Sequence, residues 1–248
     1  MKKYLYLIAL LISFNALAND QRFEAANSLY AKGEFAQAAQ AYEDIIKTGV
    51  ESEALLFNLG NAYYKQAKLP QAILNFERAL LLDPDDKDIV YNLDLANSQT
   101  ADRIVPVGQF FLNAWVKGLI NKGSSDFWAW LAILSFAFCL AMIGVYVYLA
   151  NPLLKRTSFY SAIVLLLIVV LSITFSSSLK KQITNRNQGI VFSSSVSVKS
   201  SPDMTGTDLF VIHEGTKVKI LEKLGAWSKV QLKDGSEGWL QQQTIEII

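Results

Sequence analysis

Residues 127–154 read FWAWLAILSFAFCLAMIGVYVYLANPLL, and after Lys155 and Arg156 residues 157–179 read TSFYSAIVLLLIVVLSITFSSSL. Neither stretch holds a charged side chain. About 20 mostly apolar residues cross the ~30 Å hydrocarbon layer of a bilayer, and a buried soluble helix is rarely apolar on every face for so long. The pattern predicts two transmembrane helices, 127–149 and 159–178, joined by a polar turn at 150–158. Asn151-Pro152 is expected to end the first helix, because proline lacks an N–H and disfavours helix in the residue before it. A two-helix hairpin returns the chain to the side it left, so the segments on either side of the hairpin share one compartment.

The first 18 residues decide which compartment that is. Lys2 and Lys3 open a positive start, Tyr4 to Phe14 is an apolar run broken only by Ser13, and Ala16-Leu17-Ala18 has the small-x-small form of a cleavage site. Residues 1–18 therefore read as a secretory signal peptide. Both soluble parts are then expected in the periplasm, and the protein in the bacterial inner membrane as a multi-pass chain. Loop charges do not add to this. Lys155 and Arg156 lie in the short turn, but Lys117, Lys122, Lys180, Lys181 and Arg186 flank the other ends of the hairpin, so orientation rests on the N-terminal signal.

Between the signal and the hairpin an internal repeat sets the fold. Ala26, Gly33, Phe35, Ala38 and Tyr42 correspond to Gly60, Ala67, Leu69, Ala72 and Phe76, each 34 residues on. Small residues at two fixed places with a large one between them mark a tetratricopeptide repeat. Two antiparallel helices pack closely only where side chains are small, and Gly60, Ala72 and Ala79 meet that need, while Leu59, Tyr63, Leu69 and Phe76 fill the remaining space. Asp83-Pro84 closes the second helix. The repeats run over 19–52 and 53–86, within a repeat domain of 19–103. A capping helix at 87–100 comes next, with Asp94 and Asn97 at positions where a further helix would need apolar partners. So short an array is expected to lean on its neighbours. Residues 104–126 form a juxtamembrane segment. Pro106 breaks the chain there, and Phe110, Phe111, Ala114, Trp115, Leu119 and Ile120 then recur at helical spacing, the pattern of an amphipathic helix lying in the membrane interface or packed on the repeats.

After a linker at 179–189 the period changes. Val196/Val198, Val218/Ile220 and Val230/Leu232 alternate with polar residues, the pattern of strands with one buried face, and Gly215 and Asp234-Gly235 mark turns. The run Gly215-Thr-Lys-Val-Lys-Ile-Leu, then Trp227-Ser-Lys-Val, then Gly238-Trp239-Leu240 resembles a bacterial SH3 (SH3b) domain over 190–248. Five or six short strands are expected to close a small barrel. The fold class is thus a multidomain membrane protein: an all-α tetratricopeptide solenoid, two transmembrane helices and an all-β SH3b-like barrel.

The order of these modules, with Phe110-Phe111-Leu112, Trp115 and Ser124-Ser125-Asp126-Phe127-Trp128-Ala129-Trp130, resembles the aerotolerance BatE family. The resemblance implies a non-catalytic envelope component tied to tolerance of oxidative or envelope stress. It also implies partners among von Willebrand factor A membrane proteins of the Bat type and a MoxR-type ATPase.

Composition narrows the chemistry. The net charge of +1 leaves no basic footprint for nucleic acid. Cys139 is the only cysteine and His213 the only histidine. That excludes an intrachain disulfide and the common Cys/His zinc sites, and leaves no acid–base–nucleophile set unless His213, which reads as a turn residue, takes part. No phosphate-cradling glycine loop is present. Asp85-Asp86 reads as a helix cap. We therefore expect no enzyme, no cofactor and no resident metal. Two binding surfaces are expected instead. On the first helix of each repeat, Phe23, Asn27, Tyr30, Phe57, Asn58, Asn61, Tyr64, Tyr91 and Asn92 face the concave groove. Their amides can both donate to and accept from a peptide backbone, though these asparagines also simply follow the fold's consensus. Phe57 and Asn92 stand where carboxylate-clamp repeats carry basic residues. In the SH3b part, Trp227 and Trp239 are either an aromatic shelf for a peptide or for the stem peptide of peptidoglycan, or core side chains. The expected role is a periplasm-facing scaffold for membrane or periplasmic proteins; the alternative is a sensor that binds the cell wall through its SH3b domain.

Overall fold

A computed structural model describes residues 20–104, 111–184 and 187–248. The expected signal peptide, together with Pro106 and Phe110, lies outside them. The chain divides into two compact units. One contains the N-terminal helices and the C-terminal sheet; the other contains the apolar helices.

In the first unit, α1 (20–31), α2 (Phe35–Ile46), α3 (Glu53–Lys65), α4 (Leu69–Leu82) and α5 (Lys87–Asn97) form the repeats and the last helix. Local chemistry sets the helix starts. The Ser52 hydroxyl accepts from the Leu55 N–H at 3.2 Å, and the Asp86 carboxylate accepts from the Asp88 and Ile89 N–H groups at 2.8 and 3.0 Å. Within each helical pair the turn needs a left-handed residue. Gly33 supplies it in the first repeat at φ +81°, whereas Ala67, at the equivalent place in the second, is held at φ +59°. Of the expected small positions, Ala26, Ala38, Ala72 and Ala79 have no exposed surface, while Gly33 and Ala67 lie exposed in the turns. A Cβ placed on Gly60 would lie 2.6 Å from the ring of Phe76, itself fully buried. The helices cross at this contact.

The sheet holds β1 (Gln188–Val191), β2 (Ser195–Lys199), β3 (Asp208–His213), β4 (Lys217–Leu224), β5 (Trp227–Gln231), β6 (Glu237–Gln241) and β7 (Ile245–Ile247). Their order is β3-β2-β6-β5-β4-β1-β7, antiparallel throughout. This corrects the expectation of five or six strands closing a barrel. There are seven, β3 and β7 end the order as unpaired edges, and the sheet is open. The difference lies in β1. It enters between β4 and β7 rather than leaving β7 to seal the far edge. One face of the sheet buries Val191, Val198, Ile212, Val218, Ile220, Val230, Leu232 and Leu240.

The repeats and the sheet share a core. Ile190 of β1, fully buried, and Ile248, 5% exposed, pack in one cluster with Leu56, Ile73, Phe76 and Ile89 of the helices, with Phe192 against it. The side of α4 left bare by so short an array is thus covered by a strand margin instead of a further helix. Around this apolar joint sit polar ties. Lys217 of β4 bonds Glu77 of α4 at 2.6 Å, and Arg78 donates to the Ile247 carbonyl at 2.6 Å. The Asp102 carboxylate, just past α5, accepts from the His213 N–H, the Thr216 hydroxyl and the His213 ring. Gly215 (φ +84°) makes the turn that fits here: a Cβ on it would come 2.7 Å from Thr100 Cγ2 and 3.1 Å from Ile73 Cδ1.

In the second unit, α6 (Phe111–Ile120) precedes α7 (Ser125–Tyr148) and α8 (Pro152–Thr184). The last two are long and apolar enough to cross a membrane, with mean hydropathy 2.3 and 2.5. They extend past the expected limits. The turn of 150–158 shrinks to three residues, because Pro152 opens α8 rather than closing α7. Proline tolerates the first helical turn, where its missing N–H has no partner to lose, and the Asn151 side chain caps the turn by accepting from the Leu153 N–H at 2.9 Å. Lys155 and Arg156 lie inside α8, and its other end runs into the expected linker. Small residues let the two helices approach: Ala132, Ser135, Cys139, Ser158 and Ser172 are buried, and the Ser176 hydroxyl donates to the Ser125 carbonyl at 2.9 Å. The Trp128 indole N–H donates to the Ile120 carbonyl at 2.8 Å, fastening α6 to α7. Phe111, Leu112 and Trp115 of α6 remain exposed, 69%, 48% and 65%.

Candidate binding surfaces

The expected groove residues occupy α1, α3 and α5, at three- or four-residue spacing for Phe23, Asn27 and Tyr30 and for Asn58, Asn61 and Tyr64, with Phe57 beside Asn58 and with Tyr91 and Asn92 adjacent. The structure separates them into those used by the fold and those left for a ligand. The Asn27 side-chain oxygen accepts from both the Tyr42 hydroxyl at 2.7 Å and the Asn58 amide at 3.0 Å, tying α1, α2 and α3 together. Burial pushes the Tyr42 hydroxyl up to about 12, with the charge of Tyr30 adding to the rise and Asn58 opposing it, so it stays a donor. What Asn27 and Asn58 retain for a ligand is one amide N–H₂ and one carbonyl oxygen, a donor and an acceptor side by side. Phe23 stacks at 6.0 Å on Tyr42, Tyr30 at 5.2 Å on Phe35 and Phe57 at 5.9 Å on Phe76. These three aromatics are half-buried lids on the helical core.

Asn92 donates to the Asp88 carbonyl of its own helix at 2.8 Å. Tyr64 accepts from the amide of Gln99, a residue that no sequence pattern singles out. Asn61 is half-buried, and its side chain makes no hydrogen bond among the described residues. Tyr91 is 67% exposed. Of the expected groove residues, Asn61 and Tyr91 are thus the least engaged by the fold.

On the sheet, Trp227 and Trp239 fall at the outward positions of β5 and β6, alternating with buried Ser228, Val230, Gly238 and Leu240. Both are half-buried and stand outside the cluster of buried core residues. Cross-strand register puts Trp239 opposite Lys229 on one side and Lys199 on the other, and Trp227 opposite Gln241. The two lysines are held by Asp208 at 2.8 Å and Glu237 at 3.0 Å. The result is a half-exposed aromatic strip bordered by paired charges, a surface that offers flat apolar area and hydrogen-bonding groups together.

Sequence reasoning misses the role of His213. It reads as a turn residue, yet its backbone N–H and ring Nδ1, the latter at 2.8 Å, both meet Asp102. Burial alone would raise the Asp102 carboxyl, but the Thr216 hydroxyl and the His213 groups outweigh it and hold the carboxyl below its ordinary value. The two residues are 111 positions apart, and no local pattern announces the pair. Among the described residues no group of three or more His, Cys, Asp or Glu side chains is placed to hold a metal.

Comparison with known families agrees with this architecture in two segments. No curated protein matches the chain. Residues 54–86 match the family model of the tetratricopeptide repeat. Residues 194–246 match that of the bacterial SH3 domain, so the sheet is of SH3 kind from β2 onward and β1 lies outside the matched stretch.

Proposed function

We propose that the protein is a non-catalytic scaffold of the bacterial inner membrane that holds tetratricopeptide and SH3b modules in the periplasm for protein–protein interaction. By its resemblance to the BatE family it would serve an envelope or oxidative-stress tolerance complex of von Willebrand factor A proteins and a MoxR-type ATPase. The observation that carries this reading is the shared core of repeats and sheet. The two matched modules are built as one body, which presents the concave helical face and the tryptophan strip in a fixed relation. A common core also requires that the segments before and after the apolar helices meet on one side of any membrane, as two crossings give. The signal-like N-terminus favours the periplasmic side. The polar, unpaired Asn61 and the exposed Tyr91 suit an extended, uncharged peptide.

The test is in-cell photocrosslinking with a reactive residue at Asn61 or Tyr91, against a control at the exposed Gln40 on α2. A recurrent partner from the first two positions and not the third is expected. The same products from all three, or none from the groove, would remove its residue-level support. Orientation is tested separately in a Cys139→Ser background with single cysteines at Ser52, Ser201 and the exposed turn residue Ala150. An impermeant maleimide should reach the first two in outer-membrane-permeabilised cells and not the third.

The outward placement of Trp227 and Trp239 favours a second reading, binding of peptidoglycan stem peptide by the SH3b sheet. Loss of sacculus retention on Trp239→Ala, with retention unchanged by Asn61→Ala, would select it.

A further inference from the structure

Beside the contact between α7 and α8 an apolar groove of about 480 Å³ opens sideways. Ala129, Ala132, Ile133 and Phe136 of α7 form one wall, and Val169, Ile173, Ser176 and Ser177 of α8 the other. On α8 the lining positions 169, 173 and 176 continue, at the same helical spacing, to Lys180. This exposed lysine lies one turn, roughly 6 Å, beyond the groove's end. Lys181 adjoins it, and Lys122 precedes the cap of α7, whose first turn meets α8 through Ser125 and Ser176. Asp126 is the one carboxylate of α6–α8; the chain has no other acidic residue from there to Asp203.

We infer that this groove is a binding site for an anionic phospholipid, one acyl chain lying between α7 and α8 and the headgroup phosphate meeting Lys180 and Lys181. The inference rests on the membrane reading above. Two features select this occupant. The groove is continuous with the apolar surface that a bilayer would wet, so an acyl chain reaches it without leaving hydrocarbon. The charge at its end is cationic by a clear margin, with Lys122, Lys180 and Lys181 against Asp126. That margin sits at the end carrying more lysines than the turn, which in the periplasmic orientation proposed above runs against the usual enrichment of lysine on the cytoplasmic side, and phosphate groups would neutralise it. A partner helix in the groove would need only the apolar walls and would leave the lysines without a role.

The experiment uses the full chain, reconstituted in discs of equal parts phosphatidylglycerol and phosphatidylcholine, released by mild detergent and weighed by native mass spectrometry. The parent should retain phosphatidylglycerol in preference to phosphatidylcholine. Near an anionic surface each lysine is worth about a fivefold preference, so Lys180→Gln with Lys181→Gln should reduce the ratio by up to roughly thirtyfold. Ala129→Trp, which fills the groove from its half-exposed rim, should lower retention of both lipids. Hairpin integrity in each variant is read from disulfide formation between cysteines at Ser125 and Ser176 in a Cys139→Ser background. Retention indifferent to headgroup charge, or unchanged by both variants with the hairpin intact, would overturn the site. So would a dimer in phosphatidylcholine alone that Ala129→Trp dissolves, since a second copy would then be the occupant. Release of the chain from native membranes by alkaline carbonate would instead sink the membrane reading itself.

Discussion

Ile190 is the residue through which the sheet enters the helical core, and Ile190→Ala measures how far the two are one folding unit. Ile190 is fully buried, lies on β1 between β4 and β7, and clusters with Ile73, Phe76 and Ile89. The change removes three carbons. At about 0.8 kcal/mol per buried CH₂ plus the residual cavity, the expected loss is about 3 kcal/mol, a large part of the roughly 5–15 kcal/mol that holds a domain folded. The assay is urea unfolding of the full chain in detergent, with hydrogen exchange read separately in α3–α4 and in β4–β6. A shared core predicts that both regions lose protection together, although the mutated strand comes more than a hundred residues after the helices in sequence. The same reasoning predicts that the fragment 19–104, without the sheet, melts well below the intact chain. Exchange in α3–α4 that stays at parental levels while β4–β6 opens would refute the shared core and return the chain to independent domains.

Three further outcomes are expected. Gly60→Leu drives side-chain atoms into the buried Phe76 ring, where a Cβ alone comes within 2.6 Å; overpacking of this kind costs about 3 kcal/mol or more, and circular dichroism should show loss of the repeats. Ala67→Gly relieves a left-handed alanine at φ +59° and should stabilise by about 0.5–1 kcal/mol, raising the urea midpoint. Asp102→Asn should flatten the acid limb of stability. The Asp102 carboxyl is lowered in the fold, so its contribution is present above the unfolded value near ~4 and is lost as pH falls through the lower folded one. His213 and the Glu77–Lys217 pair face the same joint, so the measurement is the difference between parent and variant across pH 2–6, and equal slopes would contradict it.

Local pattern carries much of the architecture. The 34-residue spacing of Ala26/Gly60, Ala38/Ala72 and Tyr42/Phe76 is legible because close helix packing admits few residue types, and the apolar helices are legible because no charged residue falls within 127–154 or 157–179. Strand alternation likewise locates β2, β4 and β5. What escapes is set by distant partners. Nothing near Ile190 says that it faces α4, and nothing near His213 names Asp102. Pro152 misleads because proline both ends one helix and opens the next, and only the Asn151 cap tells the two apart. In the groove, residue type alone does not distinguish Asn58, spent on Asn27, from Asn61, which is left open.

The joint between α4 and the β1–β7 margin also orders events during synthesis. The helices of the repeats are made first, but the strands that cover them are made only after the whole apolar hairpin. Until β1 arrives, the part of the helical core that Ile190 and Ile248 cover is left open to solvent. The helical core is therefore finished last, by the strands that the ribosome releases at the end of the chain, and not by a neighbouring repeat.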